Sequence, residues 1–396
     1  MPRFEPFRAL RYAGAPLADL VAPPYDVLSD PDVDELEQRS ATNIVRVDVP
    51  RGGPDRYDRS AELLAAWQRD GVLVRDRAPS FTLYRMSFTD EHQVQREIVG
   101  VLGGLEVVNE GAGGVLPHER TTPKASTDRL DLTRATRANL SPVWGLSLAA
   151  GLTEVLREPA EPVGEVTDAD GVVHRVERVS DPERLSAIAA AVGRDDVLIA
   201  DGHHRYGISR TYRDEVRAST GHRDTAAEQT LAFVNELVPE QLSVAAIHRL
   251  YRDVGFDELR TVLESGFVLT PTQTPTARTL SQMEAEGFLV LVGADGAWRL
   301  TPRSGAFVGL RALDGLWLEQ LVSGTGAAVA YQHGLAETLA AVKDGAATAA
   351  VLIRPVSVAE IERTAREGLL MPPKSTFFTP KLKTGLVLRP LDEPPA

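Results

Sequence analysis

Apolar positions in this chain fall into short runs whose period switches between two and about 3.6 residues, the signature of strands and helices alternating along one polypeptide. The clearest passage spans 181–207. Leu185, Ile188 and Val192 recur at helical spacing, Val197-Leu198-Ile199-Ala200 is an unbroken apolar run of strand length, and Asp201-Gly202 stops it. A polar, helix-compatible segment then opens with His203-His204-Arg205. Helix, buried strand, sharp glycine turn and helix are predicted here.

Elsewhere the same reasoning predicts a helix over 57–70 from Leu63, Leu64 and Trp67, and a hairpin from 80–88 and 93–102. Alternation over 43–49 predicts a strand. Pro23 and Pro24 hold 21–27 extended. Ser29, Pro31 and the acids Asp30, Asp32 and Asp34 mark a capped helix start. A second hairpin turns at 168–171, residues 225–236 suit a helix or a buried strand, and a further turn lies at 293–296. Helices are expected over 313–321 and 335–342, a strand over 348–355, and a helix over 356–368 capped by Ser357 and stopped by Gly368. The expected class is α/β of mixed, α+β character. With 396 residues, two or three domains are expected; no Pro-, Gly- or Ser-rich linker marks their limits, and they are set at 1–150, 151–300 and 301–396.

Composition narrows the function. Hydrophobic residues make up 43%, enough for a sizeable core, and the formal net charge is −13. An acidic surface disfavours nucleic acid and anionic membranes as partners, so any cationic pocket must be local. With no cysteine, thiol catalysis, disulfides and zinc–thiolate sites are excluded. The N-terminus lacks a signal-peptide apolar region and no apolar run is long enough to span a bilayer, so a cytoplasmic protein is the default expectation. Oligomeric state has no signature.

Three polar stretches carry candidate chemistry. In the first, the 201–205 turn aims backbone N–H groups at the start of a helix, which favours anions. Arg205 offers a bidentate fork, His203 and His204 donate to phosphate oxygens or act as acid–base, and Asp201 suits a divalent metal or the orientation of a histidine. In the second, Pro117-His118-Glu119-Arg120-Thr121-Thr122-Pro123-Lys124, a stiff loop places Glu119 as a general base beside cations that keep it ionised. The third, Lys374-Ser375-Thr376 with Lys381 and Lys383, combines ammonium groups and hydroxyls suited to phosphate, without a Walker A pattern. No Gly-x-Ser-x-Gly elbow, convincing Rossmann fingerprint or His-Glu-x-x-His motif is present. The inventory suits phosphoryl transfer, which needs positioning and charge neutralisation.

Four separated motifs, Ala22-Pro23-Pro24-Tyr25-Asp26-Val27, Pro117-His118-Glu119-Arg120-Thr121, Asp201-Gly202-His203-His204-Arg205 and Met371-Pro372-Pro373-Lys374-Ser375-Thr376, resemble a bacterial and archaeal family long catalogued as a domain of unknown function. The third, with its preceding strand, also resembles the phosphate-binding turn of the ParB/sulfiredoxin superfamily, to which archaeal kinases of free L-serine belong. The resemblance implies a ParB/sulfiredoxin-like catalytic core with additional mixed α/β regions on either side. It implies a pyrophosphate-dependent kinase acting on free L-serine and making O-phosphoserine. Glu119 would take the serine hydroxyl proton, Asp201 would assist through Mg²⁺ or a hydrogen bond, and His203, His204 and Arg205 would hold a donor phosphate. His118 and Arg120 would face the substrate. Binding of the other phosphate by Lys374, Ser375, Thr376 and Lys381 is inferred from the residues themselves. The arginine-rich box and helix-turn-helix of DNA-partitioning relatives are absent. The alternatives are a nucleotide-dependent kinase of serine or another small alcohol, and a non-catalytic regulator that binds nucleotides or anions.

Overall fold

In the computed structural model, which describes residues 1–14, 16–90, 93–117, 126–372 and 374–392, the run at 197–200 is a strand, Val197–Asp201, inside a nine-stranded mixed sheet. Its neighbours are Val115–Pro117, parallel, and Val143–Ser147, antiparallel. Beyond these the sheet continues through Gln229–Glu236, Gln95–Glu106, Phe81–Thr89, Val173–Val179 and Glu161–Thr167, and Phe4–Glu5 pairs with Gln95–Glu106. Both faces of this sheet are covered, which is why the 197–200 run is apolar without alternation. Val197 and Ile199 pack with Ile188 and Val192 of the helix Pro182–Val192. Leu198 and Ala200 point to the other face, with Phe378, Leu382 and Leu386 from the end of the chain.

A second sheet of six antiparallel strands follows, ordered Phe267–Thr272, Gly296–Pro302, Leu289–Gly293, Ala349–Leu352, His248–Arg252 and Ala328–Gln332. Leu289 and Leu291 face the helices Phe256–Glu264 and Asp314–Val322, while Val290 and Val292 face Ala277–Glu286 and Leu335–Lys343. The architecture is mixed α/β. Residue 150 lies between strands of the first sheet and residue 300 inside a strand of the second.

The last described residues return to the first sheet as an irregular strap. Phe377–Phe378 pairs with Val244–Ala245, Thr384 bridges Ala22, Leu388 exchanges backbone hydrogen bonds with Leu10, and Arg389–Pro390 pairs with Ala138–Asn139. Buried Arg389 donates to the carbonyls of Ala226 and Gln229. Further along, the strap is tied by a polar chain. The Lys383 N–H donates to the Tyr84 hydroxyl, which lies 2.8 Å from His174 Nδ1, and His174 Nε2 meets Asp168 at 3.0 Å. Lys383 Nζ closes the circuit on Asp168 at 2.7 Å. Lys383 is therefore engaged in holding the strap.

Most predicted elements are present: helices Arg56–Arg69 and Val358–Arg366, the hairpins 81–106 and 161–179, and the turn at 293–296. Ser29 caps Asp30–Arg39 in a reciprocal capping box with Asp32, and Ser357 accepts from the Glu360 N–H. Residues 225–236 resolve to the strand Gln229–Glu236. Two expectations are corrected. The alternating 43–49 segment is a helical turn, Val45–Asp48, because the Asn43 side chain bends the chain into it: its Oδ1 accepts from the Val45 N–H while its amide donates to the carbonyls of Asp19 and Val21. The 21–27 segment is extended only to Pro24 and then closes one 3₁₀ turn, Tyr25–Val27.

Candidate active site

Asp201 closes its strand at a register shift. Ile199 sits opposite Gly145 and Asp201 opposite Trp144, leaving Ala200 as an extra residue, a bulge that re-aims the carboxylate at the sheet rim. Gly202 follows in the left-handed region at φ +86°, and the 18-residue helix His203–Thr220 starts at once. A Cβ on Gly202 would lie 2.9 Å from Arg205 Nε, so only glycine lets the arginine fold back over the turn. The N-cap Gly202 offers no side chain to cap this helix and its first turn carries no acid, a helix start whose dipole favours an anion.

Arg205 meets Asp201 Oδ2 at 2.8 Å and also donates to the Pro142 carbonyl. Lys381, from the strap, reaches Asp201 Oδ1 at 3.4 Å. Burial opposes ionisation of Asp201, but the charges of Arg205 and Lys381, the Lys381 hydrogen bond and His203 outweigh it and hold the carboxyl down to about 2. The Lys381 ammonium lies 4.5 Å from the Phe377 ring centre, and that ring stacks at 4.3 Å on His333, the residue after the second-sheet strand Ala328–Gln332.

The structure thus brings together Asp201, His203, Arg205 and Lys381, which are separated by up to 180 positions in sequence. His204 occupies the same first helical turn. Lys374 takes a left-handed backbone at φ 60°, the Ser375 hydroxyl donates to the Pro372 carbonyl at 2.7 Å, and Thr376 immediately precedes Phe377. Lys381 is the strap residue seen in contact with Asp201 among the described residues. His118, Glu119 and Arg120 lie outside the described residues; the strand that leads to them ends at Pro117, paired with Ile199.

Asp201 fits a divalent metal poorly in this arrangement. Each of its oxygens faces a cation, and no cluster of three His, Asp or Glu side chains that could hold a metal occurs among the described residues. One cation would have to turn away for Asp201 to act as a Mg²⁺ ligand.

Behind Arg205 lies a second group that the motifs did not mark. Asp48, Arg129, Tyr25 and Arg205 line one small cavity together with Thr133, Ser141 and other residues. Arg129 meets Asp48 Oδ1 at 3.1 Å and stacks over the Tyr25 ring at 4.1 Å. Tyr25 belongs to the proline motif at 22–27, which was a signal without an assigned role; Asp48 and Arg129 carry no local pattern.

Residues 4–316 match the family model described as "Protein of unknown function (DUF1015)". The chain belongs to this family. The DUF1015 match contains the 201–205 turn and ends before the strap that carries Lys381. No curated protein matches. Among solved structures, similarity is found to a free serine kinase in complex with AMP, at 13% identity and a TM-score of 0.36, covering 67% of this chain and 84% of that one. A conserved hypothetical protein from Pyrococcus furiosus matches at 12% identity, TM-score 0.36, covering 67% and 87%. C-terminally truncated SbnI from Staphylococcus aureus matches at 12% identity, TM-score 0.40, covering 74% and 87%. Likeness at this level does not extend to function. Among the described residues, no helix is long and apolar enough to cross a membrane.

Proposed function

We propose that this protein is a small-molecule kinase that transfers a phosphoryl group from inorganic pyrophosphate to the hydroxyl of free L-serine, giving O-phospho-L-serine. The observation that carries the reading is the rim of the first sheet. There an ionised aspartate, two cations and two histidines stand at the glycine-led N-terminus of an 18-residue helix. Such a place suits a small, highly charged anion. Pyrophosphate offers no base or ribose, so cations and N–H donors must supply its binding.

In the proposed reaction the serine Oγ–P bond forms and the bridging P–O bond of pyrophosphate breaks, with orthophosphate leaving. Glu119, two residues beyond the strand end at Pro117, takes the hydroxyl proton. The helix N–H groups, His203, His204 and Lys381 hold the donor oxygens. Arg205, already shared between Asp201 and Pro142, fixes the turn and offers its remaining N–H groups. Lys374, Ser375 and Thr376 are proposed to contact the distal phosphate, and His118 and Arg120 the acceptor. Mg²⁺ is expected to arrive with pyrophosphate, where it would neutralise charge on the phosphoryl oxygens.

The test is incubation with L-serine, Mg²⁺ and, separately, pyrophosphate, ADP or ATP, with O-phosphoserine followed by ³¹P NMR. Turnover with pyrophosphate and its loss in Glu119→Gln are expected. Turnover with a nucleotide alone would move the donor assignment, and no product with any donor would refute the kinase reading.

A further inference from the structure

The cavity behind Arg205 holds an incomplete charge arrangement. Asp48 is only 2% exposed. Its Oδ1 accepts from Arg129, yet its Oδ2 is buried with no hydrogen-bond partner among the described residues. A buried carboxylate oxygen left unpaired is costly, so the site is built to be completed by a donor. Around it stand two largely buried guanidiniums, Arg129 and Arg205, with side-chain exposures of 12% and 10%, and the hydroxyls of Thr133 and Ser141. Burial pushes the Asp48 carboxyl up against the opposing pull of Arg129 and Arg205, a tension that a further cation beside Oδ2 would relieve.

The cavity therefore brings together in its lining a carboxylate with one unpartnered oxygen and a pair of guanidinium cations. Its volume, about 50 Å³, corresponds to roughly four water-sized groups, too little for a nucleoside and right for a compact zwitterion. We propose that this cavity seats the head group of an α-amino acid, its ammonium on Asp48 Oδ2 and its carboxylate on the remaining N–H groups of Arg129 and Arg205. Resting on the kinase reading, this deepens it: the acceptor would be held on one side of Arg205 while Asp201 pairs with Arg205 itself, so the amino-acid side chain is directed toward the phosphate turn. Asp48 is then the residue that separates serine from alcohols lacking an amine.

Calorimetric titration of the full-length protein and of Asp48→Asn with L-serine, L-alanine and 3-hydroxypropionate tests this. L-Alanine has the head group without the hydroxyl, and 3-hydroxypropionate has the hydroxyl without the ammonium. The wild-type protein should bind both amino acids and bind 3-hydroxypropionate about 10- to 100-fold more weakly, the loss expected for one charged hydrogen bond. Asp48→Asn should abolish that preference and raise KM for serine far more than KM for pyrophosphate. Equal wild-type affinity for serine and 3-hydroxypropionate, or no amino-acid binding, overturns the inference; this arm stands even if the variant fails to fold. Asp48-dependent binding of L-alanine without phosphoserine formation would keep the cavity and sink the kinase. Serine turnover undisturbed by Asp48→Asn would do the reverse.

Discussion

Replacing Asp201 by asparagine keeps the shape of the turn and removes its charge, leaving Arg205 and Lys381 to face each other. The size of the effect follows from the carboxyl's descent from 3.8 to about 2. At about 1.4 kcal/mol per unit, this contributes about 2.5 kcal/mol of folding stability at neutral pH. The folded value lies below the unfolded one, so the contribution is complete above about pH 5 and fades as pH falls through 3.8 toward 2. Urea unfolding followed by tryptophan emission is suited to the measurement, because buried Trp144 is the register partner of Asp201. At pH 7, Asp201→Asn should be less stable by about 2–3 kcal/mol, and the gap should narrow to roughly half of that by pH 3 and close toward pH 2. A gap that stays constant from pH 7 to pH 3, or one already negligible at pH 7, would refute the claim that the two cations hold this carboxylate ionised.

Gly202→Ala should cost about 1–2 kcal/mol for the left-handed backbone and, by displacing Arg205, weaken pyrophosphate binding; thermal melts and donor KM measure the two parts. His174 and His248 are both held down to about 4 by burial, so the folded protein keeps them neutral while the unfolded chain takes up protons below 6.5. Stability should therefore fall between about pH 6.5 and 4, and ¹⁵N NMR at pH 5.5 should find His174 and His248 uncharged. Leu388→Ala removes a side chain with no exposure from the strap and should destabilise by about 2–5 kcal/mol in urea titration.

How much could be read from the chain depended on whether the determining interactions were local. The 197–207 passage was legible because a doubly covered strand must be apolar throughout and the turn after it needs glycine. The 43–49 segment misled because Ile44, Val45 and Val47 are buried in a helical turn just as alternating residues are in a strand, and the deciding contacts of Asn43 run to Asp19 and Val21, more than twenty positions away. The Asp48 cavity was invisible for the same reason: its walls come from five separate stretches, at 25, 48, 129–141, 205–209 and 230, and the quoted motifs supply only Tyr25 and Arg205. Of the lysines in the basic C-terminal segment, the two at 381 and 383 looked alike in sequence, and only their partners, Asp201 and Asp168, separate a site residue from a tether.

Lys381 follows Asp201 by 180 positions, and the strap that bears it also covers one face of the first sheet. During synthesis the 201–205 turn must wait, without its second cation and beside uncovered apolar surface, until the closing stretch emerges. Pairing of Asp201 with Lys381 and sealing of the core are then a single late event, so a polypeptide cut short before residue 371 would lack both Lys381 and its cover, and quality control would meet an exposed sheet.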